Sequence, residues 1–165
     1  MTDELQINDF AIRCFRDVGD EDYISARMAF RTALVEPSLW ASQQAVEKYL
    51  KCILLLNRIP GAHVKHKLGL AVETIKTSGR IRLDLTAPTS HFIEYLDDFG
   101  PFRYLEISNV AFGEHLTSLD RATWELRRYC TLAVDHKQIT LQNGVIPPKV
   151  RLKGGYLEVE GKGAT

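Results

Sequence analysis

The stretch WASQQAVEKYLKCILLLN, Trp40 to Asn57, decides the fold. At about 100° per residue, Ala45, Tyr49, Cys52, Ile53 and Leu56 fall on one face, flanked by Val46. Gln44, Glu47, Lys48 and Lys51 cluster on the opposite side. Glu47 and Lys51 stand four residues apart in the order that favours an ion pair, worth a few tenths of a kcal/mol. Read by itself, that side is a solvated face stitched by one pair. Trp40, Leu54 and Leu55 lie on the same side, however. Apolar residues at both ends of a polar face predict a second contact surface, against another helix of the chain or a partner protomer.

Outward from this helix the pattern repeats. Residues 20–34, DEDYISARMAFRTAL, predict a preceding helix that starts at Gly19-Asp20, with acids in its first turn. Ser38 is the expected N-cap of the Trp40 helix. After the Pro60-Gly61 loop comes a helix over KLGLAVETIKTS, stopped by Gly79. RIRLDLTAP reads as an extended connector. A fourth helix, TSHFIEYLDDF, ends at Gly100-Pro101. A fifth is expected from Thr117, with Asp120 three residues on as a capping-box partner. Its stripe is Leu119, Ala122, Leu126, Tyr129, Cys130 and Ala133. Beyond His136 the chain is β-rich, and VRL-KGG-YLEV predicts a β-hairpin. The expected architecture is mainly α: an up-and-down bundle of about five helices over residues 1–137, with a β-hairpin appendage over 138–165.

Composition sets bounds. Apolar residues are 45% and charged residues 25%, and 21 basic residues balance 21 acidic ones. A zero net charge argues against bulk electrostatic capture of nucleic acid or membrane. No apolar run is long enough to span a bilayer. Cys14, Cys52 and Cys130 are too scattered for a metal or redox motif and read as free thiols of a reducing, cytoplasmic setting. The N-terminus lacks the apolar stretch of a secretory signal. No Gly-rich phosphate loop or metal-spaced cluster is visible, so neither cofactor nor metal is expected.

The order of features resembles the HEPN domain, a family of small helical modules found in higher eukaryotes and prokaryotes. The residues that carry the resemblance are Trp40, Gln44, Ala45, Glu47, Lys48, Leu50 and Lys51, then His66-Lys67-Leu68, then Arg103-Tyr104. It spans roughly residues 20–135. The resemblance implies a four- or five-helix bundle that forms a homodimer. It also implies nucleotide or RNA binding in a toxin–antitoxin or defence setting, often beside a nucleotidyltransferase-type partner protein. The residues it assigns to nucleotide or RNA binding are Glu47, Lys48, Lys51, His66, Arg103 and Tyr104.

RNase-active members carry Arg-x(4–6)-His at the start of the last long helix. A histidine moves protons near neutral pH, and an arginine holds the scissile phosphate. Here Arg103 and His115 have eleven residues between them. Arg58 and His63 have the right spacing but lie in a loop, and that pairing reads as coincidence. The first expectation is therefore a binding module without the usual RNase site. The alternatives are a metal-independent endoribonuclease with a displaced Arg103/His115 pair, and an interaction module that adds its β tail to a partner's sheet. Arg103 is read either as a phosphate contact or as the ion-pair partner of Asp97 or Asp98. His66 is read either as a ligand contact or as a residue that orders the loop before its helix. Lys65, Lys67, Lys76, Arg80 and Arg82 gather around the third helix, as an RNA-steering patch or as a mixed solvated surface.

Overall fold

Twenty-two residues, Val35–Leu56, form the longest helix among the described residues, and other helices pack around it. The computed structural model describes residues 3–99, 114–131, 150–153 and 156–159. In chain order the helices are α1 (Asp3–Ala11), α2 (Asp17–Arg31), α3 (Val35–Leu56), α4 (Leu68–Thr77), α5 (Ala87–Phe99) and α6 (His115–Arg127). A π turn, Ile12–Arg16, joins α1 to α2 without a break. The described part of the chain is thus mainly helical, with five helical rods in the bundle. The chain divides into two compact units, Met1–Leu132 and Ala133–Thr165. In the second, Val150–Lys153 pairs antiparallel with Tyr156–Val159, Val150 opposite Val159. The expected boundary near residue 138 lies outside the described residues.

The core is what the helical pattern of α3 predicts. Ala45, Val46, Tyr49, Leu50, Cys52 and Ile53 are fully buried. They meet Ala26 of α2, Ile75 of α4, Leu96 of α5, and Leu119, Ala122 and Leu126 of α6 in one cluster. Each buried Val, Leu or Ile side chain among them contributes about 1.5–3 kcal/mol relative to exposure.

Four boundaries differ from the sequence reading. The first rod does not start at Gly19-Asp20 but runs back to Asp3. Gly19 is buried inside it, and a Cβ there would stand 3.1 Å from Tyr49 Cε1. The glycine is thus a close-approach point between α2 and α3 rather than a helix boundary. Ser38 is not an N-cap: α3 starts at Val35, Pro37 sits in its first turn where no N–H is missed, and Ser38 is buried inside the helix. α5 starts at Ala87, two residues early, with Pro88 in its first turn. α6 starts at His115, so Thr117 and Asp120 are interior rather than a capping pair.

Helix ends follow a shared device. At the end of α2, Leu34 N–H donates to Ala29 O at 2.9 Å and Ala33 N–H to Phe30 O at 3.0 Å, with Ala33 at φ 60°. At the end of α3, Ile59 N–H donates to Leu54 O at 2.8 Å and Arg58 N–H to Leu55 O at 3.0 Å, with Arg58 at φ 55°. Both are Schellman closures with a non-glycine residue in the left-handed position. α4 ends as expected, with Gly79 at φ 66°.

Truncating the centre of α3 checks this packing. Ile53→Ala is expected to cost about 3 kcal/mol of unfolding free energy, and Leu5→Ala, on an exposed position, less than about 0.5 kcal/mol. Urea denaturation of the two variants measures the difference.

Candidate functional site

The polar side of α3 is not the solvated face that its composition suggests. Glu47 is only 7% exposed. Its carboxylate accepts from Lys51 Nζ at 2.6 Å, and His66 Nδ1 lies 3.0 Å from the same oxygen. The loop between α3 and α4 closes over this end of the helix. A Cβ on Gly61 would come within 3.0 Å of Leu54 Cδ1, and Leu54 is 3% exposed. The second contact surface expected beside Leu54 is therefore filled by the chain's own loop. The more open strip of α3 narrows to Trp40, Gln44, Lys48, Lys51 and Leu55.

The residues assigned to binding thus divide into groups. Glu47, Lys51 and His66 come together. Lys48 turns the other way, to Asp22 of α2, with Gln44 Oε1 at 3.4 Å. Arg103 and Tyr104 lie outside the described residues. Arg58 is tied up at the end of α3, where its guanidinium donates to Leu55 O at 2.8 Å and Asn8 Oδ1 at 2.8 Å.

His115 occupies a different place, at the first turn of α6 and 2% exposed. Its ring stacks on Phe30 with centroids 5.2 Å apart and meets Phe92 edge-on at 5.5 Å. Nε2 lies 3.1 Å from Ser42 Oγ and 3.5 Å from Ser38 Oγ. Both hydroxyls already donate to carbonyls, Ser42 to Ser38 O and Ser38 to Ala26 O. Their oxygens are left to accept, so Nε2 carries the proton of the neutral ring and Nδ1 the lone pair. Burial pushes the imidazole below its ordinary value, which favours this neutral form.

One wall of a cavity of about 470 Å³ is formed by His115 with Glu114 and Ser118, and the other by His91, Phe92 and Tyr95 of α5. That volume suits a small organic ligand. The walls are rings and imidazoles, with a carboxylate and a hydroxyl for hydrogen bonds. Of this lining the sequence reading singled out only His115. The i,i+4 pair Ser38 and Ser42 and the ring-rich run His91, Phe92 and Tyr95 were its visible traces.

α6 is held in place by two carboxylates. Asp20 accepts from Arg127 at 2.7 and 2.8 Å and from Tyr49 Oη at 2.7 Å. Burial opposes its charge, but these bonds keep its carboxyl below the usual range. On α6, Asp120 accepts from Tyr23 Oη at 2.9 Å and pairs with Arg27. Among the described residues, no group of three His, Cys, Asp or Glu side chains is arranged to hold a metal, and no helix is long and apolar enough to cross a membrane. Comparison with protein-family models, curated proteins and solved structures finds no match.

Two measurements check these environments. His115 is held neutral in the fold, so below about pH 6.5 the unfolded chain binds the extra proton first, and stability falls as pH drops through that value. The urea midpoint is expected to be lower at pH 5 than at pH 7.5, with a smaller difference in His115→Gln. Glu47→Ala is expected to cost about 1–2 kcal/mol, because the buried carboxylate gathers two donors, while His66→Ala, at a largely exposed side chain, stays within about 0.5 kcal/mol.

Proposed function

We propose that this chain is a HEPN-like helical module, with a C-terminal β-hairpin appendage, that binds a nucleotide or single-stranded RNA. In this reading a base seats in the cavity between α5 and the start of α6. The observation that carries it is the wall chemistry: Phe92, Tyr95, His91 and His115 line a cavity of about 470 Å³. Planar bases stack on aromatic and imidazole rings and hydrogen-bond to groups such as Glu114 and Ser118. The resemblance supplies the rest. It assigns Arg103 and Tyr104, on the chain that leaves α5, to the phosphate and a second base. It also supplies the homodimer, the defence setting and the nucleotidyltransferase-type partner. Glu47, Lys51 and His66 then act as the brace for the loop ahead of α4, as the burial of Glu47 supports.

A second reading has its own observation. The Nε2–serine contacts orient His115 and leave a lone pair on Nδ1, as a general base requires. With Arg103 as the cation at the phosphate, this gives a metal-independent endoribonuclease.

Titration calorimetry with adenine and guanine nucleotides and a short single-stranded RNA tests the first reading. Tyr95→Ala or His91→Ala is expected to weaken binding by about tenfold, the scale of one stacking contact. Unchanged affinity in both variants would move the ligand elsewhere. RNA cleavage in EDTA, lost in His115→Gln and Arg103→Ala with binding retained, would favour the enzyme.

A further inference from the structure

Glu114, Thr117, Arg121, Trp124 and Arg128 make one exposed strip along α6 and its two caps. They follow one another at steps of three and four residues, so they share a helix face. Glu114 also lines the cavity between α5 and α6, as does Ser118 beside it. The strip thus leads from the cavity's edge towards the far end of α6.

Trp124 is 67% exposed. A lone exposed ring is ordinary on a protein surface, but this one is held. The Arg128 guanidinium stands over it, 5.2 Å from the ring centroid, and over the Tyr129 ring at 4.9 Å. Arg128 is itself anchored, donating to Asp84 O at 3.0 Å and to Tyr129 Oη at 3.2 Å. The indole is therefore set in position before a ligand arrives, and less side-chain freedom is lost on binding. The carboxylates on the other faces of α6 are engaged elsewhere, Asp120 with Tyr23 and Arg27 and Glu125 with Thr86. Arg121 and Arg128 have no carboxylate at ion-pair distance among the described residues. Beyond Glu114 the strip is cationic.

We propose that this strip carries a single-stranded RNA out of the cavity, with a phosphate on Arg121 and a second base on Trp124. The inference rests on the nucleotide reading of the cavity and narrows it: the preferred ligand is an RNA strand rather than a single nucleotide. Ser118 and Trp124 are six residues apart. That is about 9 Å along the axis, the length of roughly two or three stacked nucleotides. Arg128 takes one face of the indole, and the exposure of the residue leaves the other to a base. Stacking on an indole accepts any base, and a guanidinium matches a phosphate. An acidic protein segment would use the arginines but leave the indole without a stacking partner.

Titration calorimetry on the full chain compares adenosine and guanosine monophosphates with a six-nucleotide single-stranded RNA of alternating adenine and guanine. The RNA is expected to bind at least about tenfold tighter than either mononucleotide, the scale of one added stack. Trp124→Ala removes that advantage and leaves the mononucleotide affinities as they were, whereas Trp124→Phe keeps most of it. Arg121→Gln weakens the RNA alone and lowers the slope of log affinity against log salt by about 0.7, one phosphate's share. The proposal is overturned if the RNA binds no tighter than a mononucleotide or if Trp124→Ala changes nothing. It is overturned equally if an RNA duplex binds as tightly as the single strand, or if an oligoglutamate peptide competes as well as the RNA. The cavity reading fails separately: RNA affinity that falls in Trp124→Ala but not in His91→Ala or Tyr95→Ala keeps the strip and removes the cavity.

Discussion

The bundle depends on the burial of α3 around most of its circumference. A helix covered on one side can leave its polar residues to water; one covered this far cannot. Ser38, Ser42 and Glu47 therefore each have named partners, a carbonyl, a carbonyl and a lysine. Each partner belongs to this helix or to a segment packed on it, so satisfying α3 also fixes its neighbours. Among the described residues the exceptions are Gln43 Oε1 on this helix and Thr123 Oγ1 on α6.

The same logic positions the candidate site. His115 reaches the centre of the bundle because Ser38 and Ser42 need their oxygens matched and because Phe30 and Phe92 close over its ring. The clamps at Asp20 and Asp120 hold α6 along α2, one at its last residue and one near its middle. Individually such partly exposed pairs contribute little, up to about 1 kcal/mol. Their joint effect is geometric: they set how far α6 can slide, and so where its first residue meets α5.

The parts of this fold written in local periodicity were legible. The core face of α3, the stripe Leu119, Ala122, Leu126 and Cys130, and the stop at Gly79 follow from spacing and from one residue's freedom to adopt positive φ. What was not legible depends on distant contacts. Gly19 reads as a break because glycine usually is one; only the ring of Tyr49 shows that it permits a close approach. α1 gave little signal because Leu5 and Phe10 are exposed and form no buried stripe. The polar side of α3 looks solvated until the Gly61 loop is laid over it. His115 was visible as a chemical group, but its tautomer depends on two serines more than seventy positions earlier, and no spacing rule connects them.

The π turn between α1 and α2 has a consequence for how this chain can change. Asp17 N–H reaches back to Ile12 O, one residue further than in an α-helix. A rod that carries such a turn holds one residue in excess without breaking, as a helix would after absorbing a single insertion. Everything ahead of the turn is rotated by about 100° relative to an uninterrupted helix. In that orientation α1 places Asn8 and the Glu4 carbonyl on Arg58. The π turn thus sets the face that α1 turns to Arg58 apart from the face that α2 presents to the core.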